Sequence, residues 1–175
     1  RLPSMLYWGQ DRIQGVCSPS SNMKLSLEEQ VKKAVAILKE GGVVAFPTDT
    51  LYGLGAHPFQ REAVERIFQI KRRPEEMALP LLLADVEDLS LYALEVPPLA
   101  WKLARHFLPG VLTLVLLKPA SVPDYLTGGS NTIALRVPDH PVPRAIARGL
   151  GAPITGTSAN ISGMPGVSTA DEVRQ

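Results

Sequence analysis

The stretch VVAFPTDTLYGLGAH, residues 43–57, carries an apolar run up to a proline and then breaks into Thr48, Asp49 and Thr50, with Gly53 and Gly55 close behind. The run ahead of Thr48 reads as a buried strand. If the chain stays extended past Pro47, side chains alternate, so Thr48 and Thr50 share one face while Asp49 and Leu51 take the other. The glycines permit a tight turn or the close approach of a ligand to the backbone. The competing reading is an ordinary Thr/Asp turn after a strand. This stretch alone leaves the two about even.

Working outward, Ser26 and Glu29 form a capping box, and Val31, Ala34, Val35 and Leu38 follow helical spacing until Gly41-Gly42. A second helix is predicted from Arg61 to about Lys71, with Val64, Ile67 and Phe68 inward and Pro74 as its terminator. LPLLLA is a predicted strand. A third helix over residues 99–107 places Leu99, Leu103 and Phe107 on one face. VLTLVLL and TIALRV read as strands, residues 142–148 as a short helix, and PITGTSAN as a strand running into a loop. Helices alternate with strands, several of them apolar on both faces. That pattern predicts an α/β fold: a twisted, open, mixed β-sheet flanked by helices.

The chain has 175 residues, enough for one domain and a small appendage. Hydrophobic residues make up 45% and charged residues 20%, which predicts a globular core. A net charge of +1 argues against a protein built only to grip nucleic acid, though not against a local basic cleft. The single cysteine, Cys17, excludes an internal disulfide. No apolar run reaches the roughly 18 residues of a membrane helix, and no signal-peptide pattern opens the chain. The expectation is a soluble, cytoplasmic protein without a membrane partner. Residues 1–22 lack periodicity and read as a flexible extension, with the domain proper at 23–175. Thr169 and Glu172 form a capping box close to the last residue, which reads as a domain cut short at its C-terminal side.

Four places put polar groups near strand ends, where α/β sheets bind ligands. The first is Thr48 and Thr50. The second is IKRRPEE, residues 70–76. On a helix Lys71 and Arg73 would diverge by about 200°, but Pro74 pushes Arg73 towards an extended shape. The two cations could then act as a phosphate clamp, against the plainer reading that they complement the helix dipole. The third is TIALRV, where Thr132, Ala134 and Arg136 share a face. An arginine in mid-sheet needs an anion, either a carboxylate of the protein or one of a ligand. The fourth is ITGTSANISG, where Gly156, Ser158 and Asn160 share a side if extended. No dinucleotide fingerprint, P-loop or G-x-S-x-G elbow occurs, and His57, His106 and His140 form no metal-ligand pair. Threonines, cations and an asparagine suit positioning and electrostatic stabilisation of a phosphate-containing species rather than covalent catalysis.

Taken in order, FPTDTLYGLG, IKRRP, LPGVLTLVL, TIALRVPDHP and TGTSANISG resemble the YrdC-like threonylcarbamoyl-AMP synthases, in their short single-domain form, from about Leu25 to Val173. The resemblance implies a large, positively charged concave cleft and an L-threonylcarbamoyladenylate synthase, a nucleotidyltransferase. L-threonine, bicarbonate and ATP, with Mg2+, would give threonylcarbamoyl-AMP and pyrophosphate. The product would go to a separate threonylcarbamoyl transferase for the N6-threonylcarbamoyladenosine modification at position 37 of transfer RNA. It further implies that Lys71, Arg73, Ser158 and Asn160 meet ATP, with Lys71 and Arg73 catalytic, and that Thr132 is a further nucleotide contact. Thr50, Arg136 and Gly156 would meet L-threonine, and magnesium would be carried by the nucleotide. The family usually continues through a further strand beyond this chain's last residue, and a position that can carry histidine is Leu82 here. Two rivals remain: a YrdC-like module that binds double-stranded or transfer RNA without chemistry, and a carbamoyl-adenylate domain of the hydrogenase-maturation type. For Asp49, alternation leaves a structural cap or turn role.

Overall fold

The computed structural model describes residues 6–8, 13–14, 26–72, 74 and 77–173. The described elements are, in chain order, β1 (Leu6–Trp8), β2 (Ile13–Gln14), α1 (Leu27–Lys39), β3 (Val43–Pro47), β4 (Tyr52–Gly55), α2 (Arg61–Lys71), β5 (Leu81–Leu82), α3 (Leu89–Tyr92), α4 (Pro98–Phe107), β6 (Leu114–Leu117), α5 (Asp124–Thr127), β7 (Thr132–Arg136), α6 (Pro141–Leu150), β8 (Ile154–Thr155), β9 (Thr157–Ser158) and α7 (Ala170–Val173). The strands form not one sheet but two open ones. The first has the order β2-β1-β3-β4-β9 and the second β6-β7-β5-β8. Pairing is antiparallel except between β5 and β7, so the α/β class holds and the mixed pairing sits in the second sheet.

β3 is buried along its whole length because it separates two cores. Val43 and Ala45 pack with Ala63, Val64 and Ile67 of α2. Val44 and Phe46 pack with Ala34, Val35 and Leu38 of α1 and with Val142 and Ile146 of α6. A strand covered on both faces must be apolar at every position, and VVAFP is. α1 begins as its capping box dictates: Ser26 accepts from the Glu29 N–H, and the Glu29 carboxylate accepts from the Ser26 N–H at 2.7 Å.

Several expectations change in detail. Within the expected flexible extension, Leu6, Tyr7 and Trp8 pair with Ala45, Val44 and Val43, so this part is built onto the edge of β3. The boundary at residue 23 lies outside the described residues. α2 ends at Lys71, as expected, but its C-cap is Arg72, which turns the chain with a left-handed φ of 49° ahead of Pro74. The predicted LPLLLA strand shrinks to Leu81–Leu82, since Pro80 has no N–H to give and Leu79 donates instead to the Leu126 carbonyl. α4 faces the core with Ala100 and Ala104, while Leu99 and Phe107 of the predicted stripe are exposed. Leu103, the third residue of that stripe, does pack against the core, together with Trp101.

The predicted PITGTSAN strand is two strands. β8 pairs with β5 in the second sheet, and β9 pairs with β4 in the first. The chain changes sheet at Gly156, whose N–H donates to the Pro80 carbonyl at 2.8 Å. A Cβ there would fall 2.6 Å from Leu82 Cγ, so glycine lets the crossing pass over a buried side chain. This crossing brings the open ends of both sheets together.

Candidate functional site

Between the sheets lies a cavity of about 220 Å³. Thr48, Thr50 and Leu51 line it from the β3–β4 connection, Tyr52 and Gly53 from β4, Leu82 from β5 and Pro80 from just ahead of it, Thr113 from just ahead of β6, Arg136 from the end of β7, and Gly156, Thr157 and Ser158 from the crossing. The volume falls below the roughly 300–1,000 Å³ of pockets that bury drug-sized ligands, so the enclosed part suits a small metabolite.

The chain does not stay extended past Pro47. The Thr48 N–H donates to the Leu51 carbonyl, closing a hairpin turn. The Thr48 hydroxyl donates to the same carbonyl at 2.6 Å and accepts from the Thr50 and Leu51 N–H groups. Thr48 and Thr50 do present their hydroxyls together, 3.1 Å apart, but a turn rather than strand alternation joins them. Gly53 and Gly55 make room for a protein group, and Gly53 also lines the cavity. A Cβ at either would meet the Phe46 ring, at 2.9 Å and 2.8 Å respectively.

Asp49 is no cap. Its Oδ1 accepts from Arg136 Nη2 at 2.6 Å, and the two side chains are only 13% and 16% exposed. Arg136 Nε donates to the Gly110 carbonyl at 2.9 Å. The anion that a mid-sheet arginine demands is therefore a carboxylate of the protein, at least in part. Asp49 Oδ2 is buried and finds no hydrogen-bond partner among the described residues. His140 lies within electrostatic reach of Asp49. Burial pushes its imidazole below the usual range, with Asp49 and Asp139 opposing. Its Nδ1 accepts from the Val142 N–H and caps α6.

Lys71 is 3% exposed. Its ammonium donates to the carbonyls of Ser158 and Asn160, the latter at 2.7 Å, and reaches Asn160 Oδ1 at 3.4 Å. Its own carbonyl accepts from the Ser162 N–H. Lys71, Ser158 and Asn160 therefore form one cluster, beside the cavity that Ser158 lines. Arg73 lies outside the described residues. Thr132 stands on the same face of β7 as Arg136 but away from the enclosed cavity, about 13 Å along the strand at 3.3 Å per residue. Its hydroxyl meets that of Ser130 at 2.9 Å. Val115 and Leu117, opposite Ala134 and Thr132 and both exposed, extend this open face. The structure thus brings together Thr50, Arg136, Gly156 and Ser158 around the cavity, sets Lys71 and Asn160 behind Ser158, and leaves Thr132 at the far end of an open face. Asp49, Thr113 and the Gly110 carbonyl were not singled out as ligand-site groups. Only Asp49 had a signal, the unmet charge of Arg136.

The family model Sua5_yciO_yrdC, described as "Telomere recombination", matches residues 36–175. The chain belongs to the Sua5/YciO/YrdC family. It is 42% identical over 155 residues to the threonylcarbamoyl-AMP synthase of Pyrococcus abyssi, a match that covers 88% of this chain and 46% of that protein. It is 37% identical over 148 residues to the threonylcarbamoyl-AMP synthase of Escherichia coli O6:H1, covering 83% of this chain and 78% of that protein. Among solved structures, P. abyssi Sua5 complexed with L-threonine superposes with a TM-score of 0.81 at 41% identity, over 86% of this chain and 44% of that one. The chain therefore spans less than half of the P. abyssi relative. Among the described residues, no helix is long and apolar enough to cross a membrane.

Proposed function

We propose that this member of the Sua5/YciO/YrdC family makes threonylcarbamoyl-AMP from L-threonine, bicarbonate and ATP. The observation that carries the reading is the convergence of Arg136 with the Thr48–Thr50 hydroxyl pair in one small cavity. A guanidinium beside hydroxyls suits a hydroxylated amino acid, with its carboxylate on Arg136 and its side chain near Thr50 and the Gly156 backbone. The open face towards Thr132 gives a nucleotide room to lie outside the enclosed part. In this reading the threonine amine and bicarbonate condense to a carbamate with loss of water. A carbamate oxygen then attacks the α-phosphorus of ATP, the bond to the β-phosphate oxygen breaks, and pyrophosphate leaves.

Ser158, Asn160 and Arg73 are assigned to the nucleotide end. Lys71 acts there by holding the 158–160 segment in shape. Mg2+ is assigned to the ATP phosphates. The carbonyl and amide oxygens of residues 158 and 160 could suit a hard cation, but the Lys71 ammonium already sits among them, so they do not fit a metal held by the protein. Onward delivery to a threonylcarbamoyl transferase acting on transfer RNA, and any direct contact with transfer or double-stranded RNA, belong to the same proposal. The test is pyrophosphate release with each substrate omitted in turn. Release that needs L-threonine, bicarbonate and ATP together supports the reading. RNA binding with no release would favour a binding module.

A further inference from the structure

We propose that Asp49 is a positioning residue: it holds the Arg136 guanidinium in the orientation that receives a ligand carboxylate. This rests on the functional reading above for the identity of the ligand. The geometry is a two-point brace. Nε donates to the Gly110 carbonyl at 2.9 Å and Nη2 to Asp49 Oδ1 at 2.6 Å. An arginine carries five N–H donors, and these two bonds leave three for whatever enters the cavity that Arg136 lines. The braced edge is the one formed by Nε and Nη2. A carboxylate is therefore steered to the other end of the fork, and a single rotamer is presented to it.

The brace also joins two walls. Asp49 sits in the hairpin turn between β3 and β4 of the first sheet, one residue from Thr50, whereas Arg136 ends β7 of the second. One ion pair thus sets the spacing between the Thr48–Thr50 hydroxyls and the guanidinium. Stability alone is a weak account of such a pair. Desolvating both charges offsets much of their attraction, and Asp49 Oδ2 stays buried without a hydrogen-bond partner among the described residues. A fixed fork explains the arrangement better, since a carboxylate clamp depends on its angle.

The test compares Asp49→Ala with Asp49→Asn, which keeps an oxygen for Nη2. Calorimetry reads L-threonine and ATP affinity separately, and nitrogen-15 NMR reads solvent exchange of the Arg136 Nε–H without ligand. Asp49→Ala should weaken L-threonine by about tenfold or more, the scale of one lost charge-assisted hydrogen bond. It should leave ATP affinity within about twofold and speed Nε–H exchange. Asp49→Asn should weaken L-threonine by less than about threefold and keep the slow exchange. Should Asp49→Ala not fold, Asp49→Glu, whose extra methylene displaces the fork, replaces it in the comparison. Wild-type L-threonine affinity in Asp49→Ala, or equal losses for L-threonine and ATP, would overturn the inference while the functional reading stands. A wild type that binds no L-threonine overturns the reading, and the inference with it.

Discussion

Replacing Lys71 with methionine removes one ammonium from beneath the 158–160 segment while keeping an apolar stem of similar length. The ammonium donates to the Ser158 and Asn160 carbonyls and lies 3.4 Å from Asn160 Oδ1. The last contact is too long to count fully. Each of the other two is charge-assisted and stabilises by about 1.5–3 kcal/mol. Methionine recovers part of the loss by packing, and the freed carbonyls can turn to water because Ser158 and Asn160 are half-buried. A net cost of about 2–4 kcal/mol follows, concentrated on residues 158–162. At 1.4 kcal/mol per tenfold, local opening rises by about 30- to 1,000-fold. Native-state hydrogen exchange reads this at the Ala159 amide, bonded to the Tyr52 carbonyl, and at the Ser162 amide, bonded to the Lys71 carbonyl. Lys71→Arg should recover little, since a planar fork cannot stand in for a compact charge among three oxygens. Unchanged exchange at both amides, with a loss of global stability below about 1 kcal/mol, would refute the argument that Lys71 holds this segment.

Gly55→Ala should cost about 1–3 kcal/mol in urea unfolding, as overpacking does, because its Cβ would lie 2.6 Å from the Thr155 carbonyl oxygen and 2.8 Å from the Phe46 ring. His140 should make stability pH-dependent. Burial lowers its folded pKa below the ordinary value of about 6.5, so its contribution is full above that pH and is lost as the pH falls through the folded value. His140→Asn, which keeps a capping acceptor, should flatten the difference in unfolding midpoint across that window. Arg73→Ala should lower threonylcarbamoyl-AMP synthesis by orders of magnitude and leave the unfolding midpoint in place, with near-normal pyrophosphate release counting against a role for Arg73 at the phosphates.

β3 was legible because burial on both faces leaves an unbroken apolar run. α1 was legible because its cap and its stripe agree. The sheet change at Gly156 was not, since ITGTS reads as one strand and nothing local says that its halves pair with β5 and β4. Asp49 does sit in a turn, but an assumption of extended chain hid its partner. Once Thr48 closes a turn, alternation no longer says where residue 49 points. The charge of Arg136 did announce a partner, but which anion would meet it depends on a contact between residues 87 positions apart. The burial of Lys71 was equally hidden, because a lysine in the last turn of a helix already has a sufficient surface explanation. The alanines of α4 defeated the stripe of Leu99 and Phe107 in the same way: spacing marks a face, and tertiary packing decides which face turns inward.

The most direct measurement is mass spectrometry of the reaction run with carbon-13 bicarbonate, L-threonine, ATP and Mg2+. The prediction is a threonylcarbamoyl-adenylate species heavier by about one mass unit than with ordinary bicarbonate, formed in step with pyrophosphate and absent when L-threonine is left out. Pyrophosphate released without label entering an adenylate, or an adenylate formed equally well without L-threonine, would contradict the account.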